Sequence, residues 1–177
     1  MSRRRQSRLL SYVLRHDPAH LGLELDRHGW VSVADLIRGA ERRGLKLDEA
    51  TLRRIVSQDS KVRFTLDEDG GRIRANYGHS VPIEMELEPF TPPELLFHGT
   101  ASRFLAAIER DGILPRGRQY VHLSPDQRTA RRVGRRHGRP IVLPVEAARM
   151  CGEGCSFYLT PGGTWLTSEV PREFIRL

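Results

Sequence analysis

Five short segments of this 177-residue chain hold side chains able to do chemistry. Leu14-Arg15-His16-Asp17-Pro18 sets a guanidinium beside an imidazole. In Arg72-Ile73-Arg74-Ala75-Asn76-Tyr77-Gly78-His79-Ser80, strand alternation places Arg72, Arg74 and Asn76 on one face before Gly78 turns the chain. Phe97-His98-Gly99-Thr100 ends a strand at a histidine, followed by a glycine that lets a ligand approach the backbone. Val121-His122-Leu123-Ser124-Pro125 and Val133-Gly134-Arg135-Arg136-His137-Gly138 add two histidines and two adjacent arginines. The shared chemistry is the handling of anions: guanidinium forks grip phosphate oxygens in pairs, and histidine donates a hydrogen bond or shuttles a proton. Taken singly, the segments also read as a charge cap on a helix end, a solvated strand face and a structurally satisfied histidine.

The elements that must position these residues follow from periodicity. Leu10, Val13 and Leu14 share a helical face over residues 7–16, and Asp17-Pro18 stops that helix with Arg15 and His16 at its C-terminus. Gly29-Trp30-Val31 is a short strand, and Ser32 caps a helix carrying Leu36, Ile37 and Ala40 that ends at Gly44. Asp48 caps another, with Leu52, Ile55 and Val56 inward. Val62, Phe64 and Leu66, the turn over residues 67–71, and Ile73 and Ala75 form a hairpin, so three helices and a hairpin resemble a winged helix. Pro89, Pro92 and Pro93 stiffen residues 86–94 into an extended boundary that should stay out of any sheet. Beyond it, six apolar runs (95–97, 120–123, 141–145, 157–159, 164–166 and 174–175) and two helical stretches (104–110 and 125–136) describe a mostly β lobe. The chain is therefore α+β, with lobes at 1–88 and 89–177.

Charge narrows the partner. The net charge is +7, and residues 116–139 alone hold eight arginines against Asp126, an excess equal to that of the whole chain. Lys46 and Lys61 are the only lysines. Arginine in this excess suits a phosphate-bearing partner, although a GC-rich genome gives the same bias. No apolar run is long enough to span a bilayer and no signal segment follows Met1, so a cytoplasmic location is expected. Cys151 and Cys155, four residues apart in a Gly-rich turn, read as free thiols and not as a disulfide or zinc motif, and no metal-ligand cluster is expected.

The two N-terminal segments, with Leu14-Arg15-His16 and Arg74-Ala75-Asn76-Tyr77-Gly78-His79-Ser80, resemble the RNA 2'-phosphotransferase (Tpt1/KptA) family, and the C-terminal motifs resemble its NAD-binding lobe in the same order. Phe157-Tyr158 and Thr164-Trp165-Leu166-Thr167 extend the likeness to almost the whole chain. Tyr77 departs from the glutamine usual in the family. The resemblance implies an N-terminal winged-helix lobe that binds RNA and a C-terminal lobe like the ADP-ribosyltransferases. It further implies an enzyme that moves an internal RNA 2'-phosphate to NAD+ through an ADP-ribosylated RNA. The products would be 2'-hydroxyl RNA, nicotinamide and ADP-ribose 1'',2''-cyclic phosphate.

By the same resemblance the catalytic set is Arg15, His16, Arg74 and Arg136, with Arg135 adjoining the last. His98, Gly99, Thr100, His122 and Ser124 bind NAD+, with Ser124-Pro125 opening a helix that suits a pyrophosphate. Asn76, Gly78 and His79 support the phosphate pocket, and His137 is a helix-end residue. The expected partners are RNA bearing a 2'-phosphate, from tRNA splicing, RNA repair or another source, and NAD+; no membrane and no obligate protein partner is implied. Two other readings stay open: ADP-ribosylation that caps a terminal phosphate of RNA or DNA, and a non-catalytic nucleic-acid-binding module.

Overall fold

The computed structural model describes residues 3–176. The chain divides into two compact units, residues 1–86 and 87–177.

The N-terminal unit opens with helix α1 (Arg3–Val13), continues through a short 3-10 turn (Pro18–Leu21) to strand β1 (Val31–Ser32), and then forms α2 (Val33–Arg42) and α3 (Glu49–Ser57). Strands β2 (Phe64–Leu66) and β3 (Arg72–Ala75) complete an antiparallel sheet in the order β1-β3-β2. Local chemistry accounts for the helix starts. Ser32 accepts a hydrogen bond from the Asp35 amide and Asp48 one from the Thr51 amide, each satisfying a donor that the first turn cannot. Helix α1 stops at Val13, one turn before Pro18, so Arg15 and His16 sit on the connecting turn and not in the helix proper. The strand beside Gly29 begins only at Val31, because Gly29 occupies a left-handed turn at φ 80°. Leu10, Val13, Leu14, Leu36, Leu52, Phe64 and Ile73 make the core. Ile73 is paired with Val31 on one side and Leu66 on the other, which leaves Arg72 and Arg74 on the opposite face of β3.

The C-terminal unit pairs β4 (Leu96–Ala101) with β6 (Pro140–Val145), and β5 (Val121–Leu123) with β8 (Trp165–Thr167), which also pairs with β7 (Tyr158–Leu159). Its helices are α4 (Leu105–Asp111), α5 (Gln127–Gly134) and α6 (Ala147–Gly152). All strand pairs are antiparallel. Leu96, Leu123, Val145, Met150, Phe157 and Phe174 are among its buried core.

Three expectations for this unit need correction. It is mixed and not mostly β, because α4, α5 and α6 together hold about as many residues as the five strands. Cys151 lies in α6, where Met150 turns into the core, and not in a Gly-rich turn; both cysteines are free. Phe174 ends a 3-10 turn (Arg172–Phe174) and Ile175 makes a single bridge, to Val145, in place of a strand. The proline-rich boundary also touches the sheet once, at the Pro89–Tyr158 bridge, where Phe90 donates to the Phe157 carbonyl at 2.8 Å. No helix among the described residues is long and apolar enough to cross a membrane.

Candidate active site residues in the two units

In the N-terminal unit the turn after α1 is locked to the segment after β3. The amides of Ser80 and Val81 both donate to the Arg15 carbonyl, at 2.9 and 3.2 Å, and His16 Nδ1 is hydrogen-bonded to Ser80 Oγ at 2.9 Å. Gly78, at φ 86°, makes the turn that brings Ser80 back, a conformation that carries no penalty only for glycine. Two motifs some sixty residues apart thereby become one surface.

Aromatic rings carry the arginines. The Arg15 guanidinium lies 4.9 Å from the centroid of Tyr77, and Arg74 lies 4.6 Å from that of Trp30, which Arg72 also approaches at 5.4 Å. Such stacking orients a guanidinium while leaving its N–H edge for other partners. Tyr77 is itself buried, with its hydroxyl donating to the Lys61 carbonyl at 3.0 Å. The departure at this position therefore places a fixed aromatic floor beneath Arg15. Among the described residues the acid near Arg74 is Glu86 at 3.7 Å, an exposed carboxylate whose grip solvent weakens.

His79 sits in the middle of this cluster. It is 1% exposed, and neither ring nitrogen finds a hydrogen-bond partner among the described residues. Burial, and then the charges of Arg15, His16 and Arg74, push its pKa down to about 4. His79 is therefore neutral at physiological pH amid three cationic or ionisable groups. Asn76 is turned to the hairpin instead: its Nδ2 donates to the Val62 carbonyl and its Oδ1 accepts from Thr65 Oγ1, both at 2.8 Å.

In the C-terminal unit His98 on β4 and His122 on β5 are neighbours. His98 Nδ1–H donates to the His122 carbonyl at 3.3 Å, and His122 Nδ1–H donates to the Tyr120 carbonyl at 3.0 Å. Since a carbonyl can only accept, both neutral rings carry their lone pair on Nε2. Burial lowers the His98 pKa, with the His122 hydrogen bond opposing and His137 adding to the fall. Ser124 exchanges both backbone hydrogen bonds with Phe97, at 2.9 and 2.8 Å, which ties β5 to β4 beside His98.

Gly99 is packed against helix α5: a Cβ there would lie 1.8 Å from the Ala130 carbonyl oxygen, so only glycine fits. Gly134 answers from the helix side, its Cβ position lying 2.5 Å from the Thr100 carbonyl oxygen, and Thr100 is buried beneath it. Asp126 caps the N-terminus of α5, accepting from the Thr129 amide at 2.7 Å.

Arg136 lies on the exposed turn after α5, with no carboxylate within salt-bridge reach among the described residues. Burial and then the Arg136 charge lower the pKa of Arg118. Sequence reasoning passed over Arg118, Trp30 and Ser80. Signals existed for Arg118, as part of the arginine-rich stretch, and for Ser80, which closes the Arg74–Ser80 motif.

The family model for "RNA 2'-phosphotransferase, Tpt1 / KptA family" matches residues 1–169. The chain belongs to this family of enzymes. A Tpt1/KptA relative in Agrobacterium fabrum, named a probable RNA 2'-phosphotransferase, is 54% identical over 96% of this chain and 91% of its own length. A relative in Acaryochloris marina with the same name is 49% identical over 95% of this chain and 93% of its own. Another in Streptomyces griseus is 44% identical over 97% and 94%. The match covers the N-terminal unit and the C-terminal unit as far as Glu169, and so every motif on which the resemblance rests.

Proposed function

We propose that this protein is an NAD+-dependent RNA 2'-phosphotransferase. The observation that carries the reading is the cluster of Arg15, His16 and Arg74 around a neutral, buried His79. A 2'-phosphate is a dianion, and its transfer spreads added charge over the phosphorus oxygens. Preoriented guanidinium groups stabilise that charge without reorganising at the moment of reaction. Arg15 and Arg74 grip the phosphate, and His16 exchanges the proton. Arg136 completes the arginine set.

The C-terminal donor set suits a dinucleotide. Arg118 and Arg136 are cations held near one another, and a diphosphate would relieve their repulsion. The imidazole of His98, fixed through Nδ1 to the His122 carbonyl, can accept from a ribose hydroxyl at Nε2. NAD+ supplies the ribose carbon that receives the phosphate as nicotinamide leaves. In this reading the N-terminal unit is a winged-helix RNA-binding lobe, and the C-terminal unit is a lobe of the ADP-ribosyltransferase type. The products are 2'-hydroxyl RNA, nicotinamide and ADP-ribose 1'',2''-cyclic phosphate, formed through an ADP-ribosylated RNA, and the enzyme works in the cytoplasm.

The test is an RNA oligonucleotide with one internal 2'-phosphate, incubated with and without NAD+, with products resolved by chromatography. The wild type should release the cyclic phosphate only with NAD+, and Arg74→Ala and Arg136→Ala should stall. A stable ADP-ribosylated terminal phosphate as the principal product would replace this reading with end capping. RNA binding with no nicotinamide release would leave only a binding module.

A further inference from the structure

Helix α5 carries a stripe of arginine that the reaction itself leaves without a task. Arg128, Arg131, Arg132 and Arg135 stand at i, i+3, i+4 and i+7, which is one face of a helix, and all four are exposed. Arg135 is the C-cap, yet its backbone stays helical at φ −55° and ψ −23°, so the stripe continues through it. The opposite face is taken: Ala130 and Gly134 are buried, Ala130 against Gly99 and Gly134 against Thr100 and Pro140. At 1.5 Å of rise per residue the stripe runs about 10 Å along the surface.

As a helix surface this arrangement is costly. Like charges three and four residues apart repel. The helix dipole favours Arg131 and Arg132 in the last turn but opposes Arg128 in the first. Asp126 is the only acid between residues 116 and 139, and its carboxylate is engaged in capping the helix. Among the described residues, none of the four arginines has a carboxylate within ion-pair distance. Other helices of the chain set an acid one turn from an exposed arginine: Asp35 pairs with Arg38 on α2, Glu49 with Arg53 on α3, and Glu146 and Glu153 with Arg149 on α6. A GC-rich genome would explain the arginines of α5 but not the missing acids.

Resting on the phosphotransferase reading above, we propose that this face of α5 binds the sugar–phosphate backbone of the RNA at phosphates other than the one transferred, giving the C-terminal unit an RNA contact of its own. Guanidinium groups in a row match a chain of phosphodiesters, each fork taking two oxygens of one phosphate. An anionic membrane fits less well, because a surface helix holds to lipid through an apolar face, and that of α5 is spent on β4 and β6. Contacts of this kind read no bases, so they add affinity across sequences and weaken with salt.

The experiment measures RNA binding without NAD+ by fluorescence anisotropy over a range of salt, for wild type, Arg128→Gln and the triple variant Arg128→Gln/Arg131→Gln/Arg132→Gln. One labelled probe is a 2'-phosphorylated dinucleotide; the other is a single-stranded RNA with the same 2'-phosphate and unmodified nucleotides running well beyond it on both sides. Each phosphate contact to a single strand adds about 0.7 to the slope of log affinity against log salt, which is about 5-fold in affinity for a tenfold step in salt. With affinities converging near about 1 M, at about 0.1 M salt the triple variant should bind the long RNA about 25- to 100-fold more weakly and Arg128→Gln about 5-fold more weakly. Affinity for the dinucleotide and the KM for NAD+ should hold, and the urea midpoint should not fall, because the substitutions relieve repulsion. Unchanged affinity for the long RNA, or an equal loss for the dinucleotide, would overturn the proposal. So would a raised KM for NAD+ with RNA binding intact, or loss of binding to phosphatidylserine vesicles alone. If wild type binds the long RNA as expected but consumes no NAD+, the phosphotransferase reading fails while the α5 contact stands.

Discussion

Between pH 8 and pH 5 the N-terminal unit should lose about 2 kcal/mol of stability through one residue, His79. Its pKa is about 4 in the folded protein against 6.5 for an ordinary histidine, because burial and the charges of Arg15, His16 and Arg74 oppose protonation. Between those two values the unfolded chain binds the proton and the folded one does not, so stability falls as the pH falls. At about 1.36 kcal/mol per pKa unit the full loss is about 3 kcal/mol. The stability is intact above pH 6.5, mostly gone by pH 5 and wholly lost below pH 4. The assay is urea unfolding followed by Trp30 fluorescence in a Trp165→Phe background, at pH 8 and pH 5 and equal ionic strength, for wild type and for His79→Gln. Glutamine fills part of the same space and does not titrate, so the difference between the two pH responses isolates His79 whatever the substitution itself costs. Equal pH responses, to within about 0.5 kcal/mol, would show that His79 does not hold the proton off, and the electrostatic account of the cluster would fall with it.

Two further perturbations test how the units are built. Trp30→Leu removes the ring that carries Arg74, an interaction worth about 0.5–2 kcal/mol; kcat/KM for the RNA should fall about 3- to 30-fold while the KM for NAD+ holds, and an unchanged kcat/KM would mean that the ring does not orient Arg74. Gly99→Ala places a methyl group 1.8 Å from a backbone oxygen of α5 and should destabilise the C-terminal unit by about 3 kcal/mol, measured by urea unfolding through Trp165 fluorescence in a Trp30→Phe background; an unmoved midpoint would return Gly99 to the ligand.

Much of the N-terminal unit was legible because its signals are local. The caps at Ser32 and Asp48 act on amides three residues ahead, and the β2–β3 hairpin is written in alternation around a turn at residues 67–71. Where signals were short or absent, reading failed. Helix α6 spans under two turns, too short for a 3.6-residue period to show, so Cys151 reads from sequence as part of a Gly-rich turn. The single bridge at Ile175 looked like a strand because two apolar residues satisfy any pattern. Gly99 was correctly seen as a place of close approach, but a glycine does not say what approaches it, and the answer, Ala130, lies in another element.

The sequence by itself determined which side chains are present, the local elements that hold them, and the family to which their order belongs. It could do so because caps, turns and periodicity depend on residues within a few positions of one another. The tertiary structure alone decided that Ser80 closes on Arg15 and His16, that Tyr77 and Trp30 lie beneath the two arginines, and that His79 is neutral. Desolvation and Coulomb interactions sum over everything near in space, and for these residues the decisive neighbours are far away along the chain.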